Sequence, residues 1–196
     1  MKNYGEELAY WYLRLNGFFV LDNFVYHQTQ YNRNGDADLL AVRLPYVKEE
    51  VGGNTDDWDK ELFSYLGEYE IAGVLCEVKT GPRANPSSAF KKHKLRYALN
   101  RVGFSNPVIE EMLSKHENYC MLESNGKKFL KLVVSEYEIK STRDCLTFSL
   151  AYIEDFIYNR IEAYRCQKYN ARHFFPSSLL QYMMYRKDKE LSERWR

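Results

Sequence analysis

The segment Ile71 to Lys79 constrains the fold more than any other stretch of the chain. It is an apolar run ended by Gly81 and Pro82, and it reads as a β-strand whose last residues are Glu77, Val78 and Lys79. Side chains alternate across a strand, so Glu77 and Lys79 leave one face while Cys76 and Val78 leave the other. One short side of a sheet must therefore hold an acid and a base together.

The segments around this strand fall into an ordered series. Leu8, Tyr12 and Leu15 lie at helical spacing between residues 5 and 16, and Gly17 is a stop signal, so the spacing predicts an opening helix. Phe18 to Tyr26 and Asp36 to Arg43 read as two antiparallel strands joined by a polar hairpin loop from Gln28 to Gly35. Pro45 breaks the pattern. The acidic segment that follows, about 45–70, is read as an insertion carrying a short helix with Trp58, Leu62, Phe63 and Leu66. After the Ile71 strand, Ser87 or Ser88 can cap a basic helix running to about Arg101, which makes the opening order αβββα. Tyr119 to Leu122 and Phe129 to Ser135 are strands around an Asn125-Gly126 turn, and Cys145 to Ser149 is a further strand. Helical patterns cover Ala151 to Arg165 and Ser177 to Arg194, with Pro176 between them.

Asp38 begins the apolar part of the second strand, and antiparallel pairing could bring its carboxylate beside that of Glu77. Two carboxylates about 4 Å apart repel by on the order of 4 kcal/mol at an effective dielectric of 20, so they need a cation or a shared proton. Lys79 offers one charge. A divalent ion answers better, because Mg²⁺ is commonly held by one or two carboxylates with water and phosphate oxygens completing its shell. Such an ion would neutralise charge on a phosphate while Lys79 orients the attacking water, which is the chemistry of phosphodiester hydrolysis. Asp36 is assigned to the hairpin turn, since aspartate there bonds nearby backbone amides.

Gly35-Asp36-Ala37-Asp38-Leu39-Leu40 followed by Cys76-Glu77-Val78-Lys79 resembles the signature of the PD-(D/E)xK nuclease superfamily. The opening Gly5-Glu6-Glu7-Leu8-Ala9, then Tyr12-Leu13 and Gly17-Phe18, resembles the first helix and strand of its Holliday-junction-resolvase-like and YraN-like branches. The resemblance covers roughly residues 4 to 135. It implies an α/β fold: a restriction-endonuclease-like αβββαβ core, with a mixed central sheet flanked by helices, plus a helical C-terminal extension. Residues 1–144 would form the core and 145–196 a strand and helices packed on it. It also implies that Asp38, Glu77 and Glu6 hold Mg²⁺ or Mn²⁺, with Glu7 the alternative one residue on, and that Lys79 is the catalytic lysine. The activity implied is that of a Mg²⁺-dependent deoxyribonuclease, an endonuclease rather than an exonuclease, and the resemblance allows a homodimer. One departure is the long separation of Asp38 from Glu77, where these relatives join the strands by a tight turn; the acidic charge of the looped-out segment 45–70 is expected near the site, restricting which DNA enters.

Composition narrows the field further. Of the residues, 45% are hydrophobic and 28% charged, ordinary for a globular protein, with 17 Tyr and 11 Phe adding an aromatic bias. The four cysteines form no Cys-x-x-Cys pair, which speaks against a zinc ribbon or redox motif. Neither a P-loop nor a Gly-x-Ser-x-Gly elbow occurs. No apolar run approaches the roughly 20 residues of a membrane helix and no signal-peptide pattern opens the chain, so the expectation is a cytoplasmic protein with no membrane partner. A formal net charge of +1 gives no global pull on a polyanion, but the charges from Arg83 to Arg101 are all basic. Lys91, Lys92, Lys94 and Arg96 of the basic helix are candidates for contacting DNA phosphates, against the alternative of a solvated helix face. Tyr164, Arg165, Lys168, Tyr169, Arg172, His173 and Phe174 interleave rings and charges, a composition compatible with stacking on unpaired bases, but helical core packing with a basic outer face is the preferred reading. The rival to a nuclease is a non-catalytic module of the same fold that binds nucleic acid or a protein partner, and RNA is the alternative substrate.

Overall fold

The computed structural model describes residues 3–27, 33–81, 90–115, 118–137, 141–169 and 177–194. Helix α1, Tyr4–Leu15, starts where the Asn3 side chain accepts a hydrogen bond from the Glu6 N–H, and Glu6 and Glu7 add favourable charge to its first turn. It ends at Asn16, after which Gly17 adopts a φ of 80° that suits glycine. Its buried stripe is Leu8, Ala9, Tyr12 and Leu13; Leu15 is only partly buried.

Strands β1 (Phe19–His27) and β2 (Arg33–Arg43) pair antiparallel from Phe19↔Val42 onward. Arg33, Asn34 and Gly35, read above as loop, belong to β2, and residues 28–32 lie outside the described residues. Helix α2, Lys60–Leu66, follows a 3₁₀ turn at Thr55–Asp57. Strand β3, Ile71–Lys79, pairs antiparallel with β2 from Arg43↔Ala72 to Leu39↔Cys76. Helices α3 (Lys92–Val102) and α4 (Asn106–Lys115) then cross over to β4 (Met121–Ser124) and β5 (Lys127–Ser135). Lys91, not a serine, occupies the N-cap of α3 and makes no side-chain cap bond; Arg83, Ser87 and Ser88 lie outside the described residues. The Asn125-Gly126 turn between β4 and β5 has φ of 51° and 72°, the two left-handed residues that match the twist of a tight hairpin.

β5 runs parallel to β3 along its whole length, Ile71↔Lys127 to Lys79↔Ser135. Its outer edge is shared in succession by β4, antiparallel, and by β6 (Leu146–Ser149), parallel. The result is a mixed six-stranded sheet in the order β1-β2-β3-β5-β4, with β6 also on β5. Helices α5 (Leu150–Ala163), α6 (Arg165–Tyr169) and α7 (Ser178–Arg194) complete seven α-helices among the described residues. Pro176, Arg172, His173 and Phe174 fall outside them, as do the side chains of Lys168 and Tyr169. None of the described helices is long and apolar enough to cross a membrane.

Burial divides the molecule into layers. One core gathers Leu8 and Tyr12 of α1, Leu62 and Leu66 of α2, Ile153 and Ile157 of α5 and Leu180 and Met183 of α7 against the β3 face that carries Val74, Cys76 and Val78. The other gathers Leu95 and Leu99 of α3 and Ile109 and Met112 of α4 against Leu40, Leu75, Phe129 and Val133. The C-terminal third thus shares the first core and adds a strand to the sheet.

The position of the insertion corrects the expectation that its charge lies near the site. The chain leaves β2 at Arg43 and enters β3 beside it, at Ala72. Glu77 is five residues further along β3, roughly 17 Å at the usual strand rise. The insertion is clamped at that far end by two arginines. Arg43 donates from Nε to the Asn16 carbonyl at 2.9 Å and lies 4.8 Å from the ring centres of both Trp58 and Phe63. Arg160 of α5, 4% exposed, donates to the carbonyls of Leu15, Gly52 and Asp57 and lies over Trp58 and Phe156. Asp59, the most buried of the acidic residues here, caps α2 through Leu62 N–H at 2.9 Å and accepts from the Tyr152 hydroxyl at 2.9 Å.

Candidate active site

β3 is buried from Ala72 to Cys76, and then Glu77 and Lys79 are partly exposed on either side of buried Val78. Leu40 of β2 and Leu75 of β3 sit opposite each other within the α3/α4 core. One alternation further along each strand, the same face carries Asp38 and Glu77. Regular pairing of β2 and β3 stops at Leu39↔Cys76. Beyond it the Val78 N–H donates to Asp38 Oδ2 at 2.7 Å, so a carboxylate takes the place of a strand carbonyl where the two strands part. Lys79 Nζ donates to Glu77 Oε1 at 2.5 Å. Asp38, Glu77 and Lys79 are therefore one cluster, as the alternation and register require.

Burial pushes the Asp38 carboxyl above the usual aspartate range, and the neighbouring Glu77 pushes it the same way; the Val78 N–H and Lys79 oppose this, while Asp36 adds a smaller upward push. Below the cluster, the fully buried Cys76 thiol is driven well above its ordinary value by burial and then by Asp38 and Glu77. That removes it as a nucleophile, because the thiolate is the reactive form. The folded state holds the Asp38 proton more tightly than the unfolded chain does. Metal-free stability from this group is consequently full below the ordinary aspartate range and falls as pH rises through the raised folded value. Asp38→Asn, which keeps an acceptor for Val78 N–H, is expected to raise the melting temperature in EDTA at pH 7 by a few degrees and to flatten that pH dependence. An unchanged melt would show that Asp38 is not held at a cost.

Glu6 is at the same end of the sheet but on α1, over the face that carries Val78. A Cβ on Gly5 would come within 2.8 Å of Thr80 Cγ2 and 3.1 Å of Val78 Cγ1, so glycine lets the first turn of α1 sit directly on the end of β3. Glu6 accepts from Asn3 Nδ2 at 2.6 Å, and Glu7 accepts from Ser177 Oγ at 2.5 Å. The structure does not bring either glutamate into the Asp38–Glu77 pair. Among the described residues, no group of three or more His, Cys, Asp or Glu side chains could hold a metal ion. The donor set is accordingly two carboxylates, and it fits a cation that takes most of its ligands from water and phosphate, as Mg²⁺ does.

Helix α3 lies on the face of Asp38 and Glu77. Val102 at its C-terminal end packs where a Cβ on Gly73 would be, so the helix runs antiparallel to β3 and its start points toward the cluster. Lys91 and Lys92 are exposed there and Lys94 is half-buried. Arg96 is paired with Glu110 of α4 at 2.7 Å, so a phosphate would have to compete with that carboxylate for it. Lys131 escaped the sequence reading. It is 1% exposed, lies beside Leu75 on this same face, and holds its ammonium 5.7 Å from the Phe90 ring. The signal was a single charge within Phe129 to Val134, an otherwise apolar strand. No protein-family model and no solved structure matches the chain.

Proposed function

We propose that the chain is a metal-dependent nuclease of the PD-(D/E)xK type that hydrolyses phosphodiester bonds in DNA, cutting internally. The observation that carries this reading is the splay of β2 from β3, where Asp38 caps the Val78 N–H beside the Glu77–Lys79 pair. With α2 assigned to the 45–70 insertion and α4 and β4 read as additions before β5, the order α1, β1, β2, β3, α3, β5 is compatible with an αβββαβ core. Asp38 and Glu77 would hold Mg²⁺ or Mn²⁺; Glu6 is at the same end of the sheet but outside that pair. When bound, such a cation draws charge from the scissile phosphate and acidifies the attacking water. Lys79 gives one of its three ammonium protons to Glu77, and the others would serve the water and the charge that develops on the phosphate. Lys91 and Lys92 supply cations for flanking phosphates.

The rival, a non-catalytic nucleic-acid or protein-binding module, draws on the fact that Glu77 and Glu6 already have partners within the chain. A labelled panel of single-stranded, duplex, flap, junction and RNA substrates, with Mg²⁺, Mn²⁺ or EDTA, separates the two. The nuclease reading expects DNA cutting that EDTA abolishes. It also expects metal at about 100 times its Kd to stabilise by ~2.7 kcal/mol, a rise of roughly 5–10 °C for a chain of this size, and Asp38→Ala to erase that rise. Folded protein that neither cuts nor responds to metal would leave the binding module as the reading.

A further inference from the structure

Strand β1 has a backbone outlier level with the candidate centre. Asn23 has a φ of 49°. The other described non-glycine residues with positive φ, Tyr46 and Asn125, sit in turns, whereas Asn23 is inside a strand. Asp22 is opposite Leu39 and Phe24 is opposite Ala37, so Asn23 is opposite Asp38. One step past Leu39↔Cys76, the β2–β3 register brings Asp38 level with Glu77. Asn23, Asp38 and Glu77 therefore form one row across three strands. Left-handed backbone is unfavourable for any residue with a Cβ, though asparagine tolerates it better than most, and inside a strand it persists only where the surrounding structure requires it.

Two further irregularities fall in the same row. The β2–β3 ladder ends immediately before it, and the Val78 N–H goes to the Asp38 carboxylate in place of a strand carbonyl. Side-chain alternation also slips there. Counted from the Leu21↔Leu40 pair, alternation assigns Phe24 and Ala37 to the face of α1, yet both pack with the α3/α4 core. As at a β-bulge, a left-handed residue increases the local twist and re-aims the side chains beside it. We infer that Asn23 is a positioning residue for the candidate centre: its left-handed backbone twists the β1–β2 pair so that β2 parts from β3 at Asp38, which frees that carboxylate to cap Val78 and to face a cation with Glu77. The backbone conformation does this, and the carboxamide, on an exposed residue, is not required. The cation belongs to the metal reading and rests on it; the parting of the strands does not.

The test is a series at one position in the full chain: Asn23→Gly, which adopts the left-handed region freely, Asn23→Ala, which does so at a cost, and Asn23→Val, whose branched side chain opposes it most. Amide hydrogen exchange of Val78 is measured in EDTA relative to Val74 of the same strand, so that a change in global stability cancels. Asp38→Ala is the reference for loss of the Asp38–Val78 bond. Asn23→Gly is expected to keep the native protection, Asn23→Val to match Asp38→Ala, and Asn23→Ala to fall between them. Mn²⁺ is then titrated against each protein and its Kd read from the rise in melting temperature. Asn23→Val should weaken Mn²⁺ about 10- to 100-fold, the range for losing a residue that orients a metal ligand, and Asn23→Gly should leave it unchanged. Melts in EDTA verify each fold, and the contrast of Asn23→Gly with Asn23→Ala decides the matter where Asn23→Val does not fold. A Val78 exchange that is the same in the folded variants as in the native protein, a loss in Asn23→Gly equal to that in Asn23→Ala, or an Asp38→Ala that leaves Val78 unchanged would overturn the inference. An ordered Val78 series with no Mn²⁺ response in the native protein keeps the positioning role and removes the metal reading. A Mn²⁺ response abolished by Asp38→Ala but indifferent to every Asn23 variant keeps the metal reading and removes the positioning role.

Discussion

If the proposed nuclease reading holds, Lys79→Ala is expected to slow DNA cleavage by about 10²- to 10³-fold, the usual cost of removing one donor that meets charge developing in a transition state. The loss should fall on kcat, with little change in KM, because the side chain does most of its work after substrate is bound. A second readout distinguishes this role from a structural one. Lys79 is a cation beside the carboxylates, so its removal should leave the metal-induced rise in melting temperature intact, whereas Asp38→Ala removes it. Lys79→Arg should recover only part of the rate, since a planar guanidinium cannot reproduce the compact ammonium held 2.5 Å from Glu77 Oε1. A rate unchanged in Lys79→Ala would end the assignment of this lysine and, with it, of the cluster as a nuclease centre.

At the other end of the sheet the largest effect is on stability. Arg160→Ala should destabilise the protein by about 3–5 kcal/mol, the scale for removing one partner of a buried charged network, or roughly 6–20 °C for a chain of this size. Three backbone carbonyls, on Leu15, Gly52 and Asp57, lose their donor together, and Trp58 and Phe156 lose the cation between them. Arg160→Lys should restore little, because one ammonium cannot reach a set of acceptors arranged for a forked guanidinium. Urea or thermal melts measure the loss. Because the clamp lies at the end of β2 and β3 remote from Asp38, any metal-dependent cleavage by the unsubstituted protein should persist in the variant at temperatures where it is folded. A loss below about 1 kcal/mol would mean that the segment is held by its apolar contacts alone.

The parts of the site that could be read in the sequence are those governed by short-range geometry. The alternation of Cys76, Glu77, Val78 and Lys79 follows from the strand period, and the Leu40↔Leu75 register places Asp38 next to Glu77. The bounds of β3 coincide with the apolar run and its Gly81 stop. Where tertiary packing decides, local pattern was insufficient. Arg96 is drawn to Glu110 across the α3–α4 pair, and α4 was not recognised although Ile109, Met112 and Leu113 have helical spacing. The misplaced charge of segment 45–70 was a topological error rather than a missing signal: an antiparallel connection leaves from the end of β2 opposite Asp38. Periodicity also says nothing of which strands are neighbours, so the parallel β3–β5 pair and the splitting of β5's edge between β4 and β6 could be known only from the structure.

That arrangement of β5 bears on how the chain survives its own synthesis. β3 is buried on both faces from Ala72 to Cys76, and until β5 arrives its far edge is an apolar row of unsatisfied backbone donors and acceptors. Residues up to the end of α4 emerge first and leave that edge uncovered. The β4–β5 hairpin is closed by a two-residue turn and can form locally within microseconds, which lets β4 cover one edge of β5 as its other edge pairs with β3. A fragment ending ahead of Lys127 would have the whole Asp38–Glu77–Lys79 cluster and a sticky edge beside it, prone to pairing with another chain in place of the missing β5.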